Sequence, residues 1–184
     1  MKQMLAFACG LFLAGCVGQE AAVPPSPGVA ASGAVADGDA GMFCAEGEDV
    51  VFGCKLAQGH TVALCASPGL APAGGELQYR ENVPGEAADV AWPQDGTVAS
   101  QAYRSGTLMY SGGGGAFLRF DREGRTYTVY TGIGRGWEKA GVLVQAQGNT
   151  VANLACDGEE VSAIGPELFA RAGIPEDADG FEIP

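Results

Sequence analysis

A chain of 184 residues with 22 acidic against 10 basic groups carries a formal charge of −12. That field repels nucleic acid and anionic lipid headgroups, and a partner selected by electrostatics would have to be basic. Thirty glycines among scattered Val, Leu, Tyr and Phe point to short strands joined by tight turns, and the length suits one domain rather than two.

In chain order, Lys2 supplies a positive start, "MLAFACGLFLAG" an apolar core, and Ala14 and Gly15 a small-residue flank before Cys16. This is the layout of an export signal, too short to span a bilayer as a permanent helix. Leu13-Ala14-Gly15-Cys16 resembles the lipobox of bacterial lipoproteins. The resemblance implies cleavage before Cys16 and acylation of its sulfur, with residues 1–15 removed. Several acyl chains would anchor the protein stably, at about 0.8 kcal/mol per buried methylene. Val17 stands where an aspartate would retain a lipoprotein at the inner membrane, so the expected location is the outer membrane, facing the periplasm. Cleavage removes Lys2 and no acid, leaving 9 basic and 22 acidic groups, a balance of −13. Residues 17–41, rich in Pro, Gly, Ala and Ser, read as a disordered tether with an r.m.s. span of roughly 25 to 30 Å. No internal repeat is read.

The globular part is expected from Met42, with a β domain over 42–160. "DVVFGCKL" and "TVALCAS" form a hairpin turned at Gln58-Gly59. Period 2 places Phe52, Cys54 and Leu56 on one face and Thr61, Ala63 and Cys65 on one face of the returning strand; the hairpin is expected to bring both sets to the same side. Further strands are read at 76–81, 89–92, 107–110, 116–120, 125–132, 141–146 and 150–156, with turn chemistry in "DREG" and "AQGN". Nine such strands predict a mainly β fold, an antiparallel β-sandwich or small β-barrel. Residues 161–184 hold one short α-helix, about 166–172, with Pro166 in its first turn, Gly173 as its stop and Leu168 and Phe169 buried. The last residues, "IPEDADGFEIP", read as a loose acidic tail.

Four cysteines remain after Cys9 and Cys16 are set aside: Cys44, Cys54, Cys65 and Cys156. In an exported domain they point to two disulfides, in any of three connectivities. The expected pairing is Cys54 with Cys65 and Cys44 with Cys156. A four-thiolate zinc site is disfavoured by spacing and compartment.

Catalytic chemistry has few candidates. His60 is the single histidine and sits at a turn, and the cysteines are committed to disulfides, so Ser-His-Asp or Cys-His arrangements lack parts. The acids form no recognisable glycosidase pair. "DADG" at 177–180 resembles a fragment of a calcium loop but lacks the first and twelfth ligands. Neither a catalytic residue nor a cofactor is expected.

Two glycine-rich segments stand out. "MYSGGGGAFLRF", 109–120, lacks the lysine and hydroxyl of a phosphate loop and reads as a flexible hairpin, whose bare backbone would also let a partner approach closely. "GIGRGWEKAG", 132–141, concentrates Arg135, Trp137 and Lys139 in an acidic chain, and reads either as a binding patch or as a Trp-anchored hairpin. Together "SGGGGAF" and "WEKAG" resemble membrane-bound C-type lysozyme inhibitors, small β-barrel lipoproteins of the Gram-negative envelope. The resemblance implies that Ser111 and Lys139 reach a lysozyme cleft, with Phe117 at a position usually held by tyrosine. Ser111, Gly112, Gly113, Phe117, Arg135, Trp137 and Lys139 are therefore the candidate binding residues. Residues 43–67 also resemble the start of exported bacterial proteins with a Phe-x-Cys, turn, Leu-Cys hairpin, from which no activity transfers.

The expected function is a non-catalytic, lipid-anchored envelope binding module, acting on a basic cell-wall-directed protein such as lysozyme. A structural or assembly lipoprotein docking on an envelope complex is the alternative, and a cell-wall hydrolase a more distant one.

Overall fold

The computed structural model describes residues 44–82, 90–94 and 96–184. The signal, Cys16, the tether and Asp89 lie outside the described residues. Among the described residues ten strands form two five-stranded antiparallel sheets. The first contains β1 (Asp49–Lys55), β2 (Thr61–Ala66), β3 (Leu77–Asn82), β4 (Val90–Trp92) and β10 (Val161–Ser162), in the order β10-β1-β2-β3-β4. The second is a meander of β5 (Arg104–Tyr110), β6 (Gly113–Arg122), β7 (Arg125–Gly134), β8 (Trp137–Ala146) and β9 (Asn149–Ala155), taken in sequence order. The fold is a sandwich, not a closed barrel. One core fills the space between the sheets, with Phe52, Leu64 and Tyr79 from the first and Leu118, Val129 and Val142 from the second.

A short helix α1 (Ala99–Ala102) precedes the meander, and α2 (Pro166–Ala172) follows β10. The reading of α2 matches its observed span. Pro166 enters its first turn, Gly173 adopts a left-handed φ of 64°, and Leu168 is buried while Phe169 packs partly against the core.

Phe120 is the hub of the core. Its ring lies 5.1 Å from Tyr79, 5.1 Å from Tyr127, 5.6 Å from Tyr103 and 6.1 Å from Trp92. The Tyr103 hydroxyl accepts from Tyr79 N at 3.2 Å and lies 3.1 and 3.0 Å from the Leu77 and Trp92 carbonyls, joining the meander's start to the first sheet.

All four cysteines are in disulfides, but the partners are exchanged relative to the expectation: Cys44 with Cys65, and Cys54 with Cys156. The hairpin register explains the correction. Phe52 faces Leu64 and Cys54 faces Val62, so even-numbered residues of both strands share the inter-sheet side. Cys65 therefore points to the opposite face, where Cys44 joins it beside Ala63. Cys54 stays inside and meets Cys156 just past β9, where Leu56 and Cys156 form a bridge. The sulfurs of these four cysteines are all consumed as disulfides.

The meander also corrects the reading of the glycine run. Its four turns are two-residue loops, Ser111-Gly112, Glu123-Gly124, Arg135-Gly136 and Gln147-Gly148, closed by the pairs Tyr110↔Gly113, Arg122↔Arg125, Gly134↔Trp137 and Ala146↔Asn149. Gly113, Gly114 and Gly115 lie within β6, Gly113 paired to β5 and the other two to both neighbours, so only Ser111-Gly112 is loop. The turn glycines fall every twelve residues, a repeat set by ten-residue strands and two-residue turns.

Titration bounds the stability from both sides. Glu48 meets Arg80 at 2.6 Å, and this hydrogen-bonded pair holds the Glu48 carboxyl below its ordinary value. A lowered folded pKa contributes stability above the unfolded value, lost as pH falls through the folded one. Burial raises the phenols of Tyr79, Tyr103 and Tyr130, so their neutral forms contribute stability below an unfolded pKa of about 10 that is lost as pH rises. Urea midpoints measured across pH should therefore decline as pH falls through the carboxylate range and as it rises above about pH 10. In Arg80→Gln the acid-side decline should be shallower, with the alkaline side unchanged.

Candidate functional site

In an up-and-down meander the first and third turns lie at the same end, which brings Ser111-Gly112 and Arg135-Gly136 together. Gly112 and Gly136 take φ of 79° and 80°, where a side chain would be strained. Arg135 N donates to Ser111 O at 3.1 Å, so the two tips form one surface.

Cross-strand register then sets two rows. On the outer face the pairs Tyr110↔Gly113 and Gly134↔Trp137 lie side by side, a Cβ at Gly113 falling 3.3 Å from the Gly134 Cα, so that two aromatics bracket two glycines. The Trp137 ring occupies the space a Cβ at Gly134 would need, 2.5 Å from its indole atoms, and meets the Tyr110 ring edge-on at 5.0 Å. The Tyr110 hydroxyl is buried without a hydrogen-bond partner. One residue further in, on the opposite face, Met109, Gly114, Ile133 and Glu138 align. Met109 is 89% exposed and Ile133 51%, with bare glycine backbone between them. Two large apolar side chains presented to solvent on this face, with the exposed Arg135 at the turn and Trp137 on the reverse of the sheet, form a contact surface around the tips.

Beside this patch lies a cleft of about 1280 Å3 lined by Lys55, Glu138, Lys139, Asp157, Glu159 and Glu160, among others. Four carboxylates against two ammonium groups make its rim acidic.

The seven candidate residues separate into two groups. Ser111, Gly112, Gly113, Arg135 and Trp137 meet at the tips. Phe117 and Lys139 lie further along the outer face, beneath the C-terminal segment: Phe117 is 1% exposed with Phe181 packed on it, and Lys139 Nζ donates to the Pro184 carbonyl. Phe117 is therefore a floor residue rather than an exposed contact. The sequence reading missed Met109, Tyr110 and Ile133, which the twelve-residue glycine spacing would have placed beside the turns. His60 closes the β1–β2 turn, its carbonyl accepting from Leu56 N at 2.8 Å. Cys44, Glu48 and Cys65 are the one metal-like grouping among the described residues, and two of its three members are bonded to each other.

No protein-family model, curated protein or solved structure matches this chain. Among the described residues no helix is long and apolar enough to cross a membrane.

Proposed function

We propose that the chain is a lipid-anchored envelope binding module, without catalytic activity, whose two hairpin tips contact a basic cell-wall-directed protein such as a lysozyme. The joining of Ser111-Gly112 to Arg135-Gly136 with Trp137, Met109 and Ile133 around them carries this reading. The acidic rim of the adjoining cleft and the net charge of −12 suit a cationic partner, whose encounter such charge accelerates and salt slows.

The oxidised protein should inhibit lysozyme on cell walls at low salt and less so at moderate salt. Trp137→Ala should weaken inhibition at least about tenfold, the effect of losing a central aromatic anchor. Lys139→Ala should change it little, since that ammonium already serves the C-terminal segment. No inhibition at micromolar protein with an intact circular dichroism spectrum would overturn lysozyme as the partner. The exposed Met109–Ile133 pair favours, as second reading, docking on an envelope complex, which a photo-crosslinker at Ser111 would capture.

A further inference from the structure

The expected loose tail is instead a strap across the outer face of the second sheet. Ser105 clamps its start: Ser105 N donates to Pro175 O at 2.9 Å, and Asp177 N to Ser105 O at 2.8 Å. From 178 to 184 the backbone joins no sheet. Side chains hold it instead. Arg119 binds Asp177 at 2.7 Å and the Gly180 carbonyl at 2.9 Å, and Lys139 holds the Pro184 carbonyl. The Phe181 ring lies 5.2 Å from Phe117 and 5.7 Å from Tyr130, in an apolar cluster separate from the main core. Ile183 sits over Gly115 and Gly132.

Gly132 shows what this face is shaped for. A Cβ there would meet Ile183 Cδ1 at 2.4 Å, while the nearest atom of the sheet is 3.5 Å away. The sheet would accept a side chain at 132; only the end of the seated isoleucine crowds one. An aromatic floor, a notch for a branched aliphatic side chain two residues on, and a cation at each end for carbonyls and acids are the parts of a peptide-recognition groove.

We propose that the outer face of the second sheet recognises an extended peptide bearing an aromatic residue and, two positions later, a branched aliphatic one, and that residues 178–184 occupy this groove in cis. A segment fastened without a backbone ladder opens locally at low cost. At an effective concentration on the order of 1 mM, a cis segment of about 100 μM intrinsic affinity weakens a competitor about tenfold, and a partner of matching chemistry displaces it.

The test uses a labelled synthetic peptide, EDADGFEIP, copied from residues 176–184, and the full oxidised chain. A chain with Phe181→Ser and Ile183→Ser should bind it saturably, the unsubstituted chain about tenfold more weakly. Adding Gly132→Ala to the double variant should weaken binding several-fold, because the peptide's isoleucine must shift from its seat. Absence of binding to a double variant with an intact far-ultraviolet spectrum, equal binding to both chains, or indifference to Gly132→Ala would each overturn the proposal. Should the double variant not fold, Gly132→Ala alone decides: chymotrypsin should cut after Phe181 several-fold faster than in the parent, and unchanged protection would overturn the groove.

Discussion

Replacing Cys54 and Cys156 together by alanine should lower the stability of the oxidised fold by about 4 to 5 kcal/mol, against about 3 kcal/mol for Cys44 and Cys65. The difference follows from the loops closed, with sequence separations of 102 and 21 residues. In the chain-entropy account the longer loop restrains more of the unfolded ensemble. Position strengthens the argument. Cys54 is wholly buried at the end of β1, and its partner follows β9, so this crosslink ties the first sheet to the second. Cys44–Cys65 fastens only the entry segment to the outer face of β2. Urea unfolding of the two double variants, followed by circular dichroism, gives the ranking, and mass mapping of unreduced peptides gives the pairing. Equal midpoints would mean that the sheets are held together by the core alone.

The class of fold was legible because it rests on alternation and turn residues, which act locally. Alternation also sorted Cys54 from its neighbours correctly. What it cannot supply is the register of a hairpin, and a shift of one residue reverses every face. The three-residue turn Ala57–Gly59 and the pair Lys55↔Thr61 set that register, and so decided which cysteine met Cys54. The glycine run was misread for a related reason. Four consecutive glycines look like a loop when each is judged by its own freedom, yet Gly113 pairs with Tyr110 of β5, and Gly114 and Gly115 sit opposite Ile133 and Gly132 of β7 within a continuous ladder. The tail was hidden by composition. Its acids suggested solvent, while Phe181-Glu182-Ile183 alternates as an extended segment with one face partly buried. Ser111, Gly112, Arg135 and Trp137 were legible as unusual residues; their meeting at one end depended on strand lengths that were read too short.

Within that run the glycines are unequal, and substituting them separates a platform from a loop. A Cβ at Gly113 would lie 2.1 Å from the Ile133 carbonyl oxygen, and one at Gly115 2.6 Å from that of Thr131. These are backbone atoms of the neighbouring strand, so no side-chain rotation relieves the contact and the pairing itself must give. Gly113→Ala should cost about 3 kcal/mol or more, as forced overpacking does. For a domain of this size that lowers the melting temperature by roughly 10 °C. Opening β6 from β7 at this point also separates Ser111 from Arg135 and withdraws the glycine floor between Tyr110 and Trp137. Partner binding at the tips should therefore fall along with stability. Gly132→Ala is the matched control, because its added methyl group meets Ile183 and leaves the sheet's own contacts in the ordinary range. It should melt close to the parent and keep tip binding while loosening the strap at Ile183. A Gly113→Ala protein that melts like the parent would make the run a yielding loop after all, and the rigid contact surface proposed at the tips would fall with it.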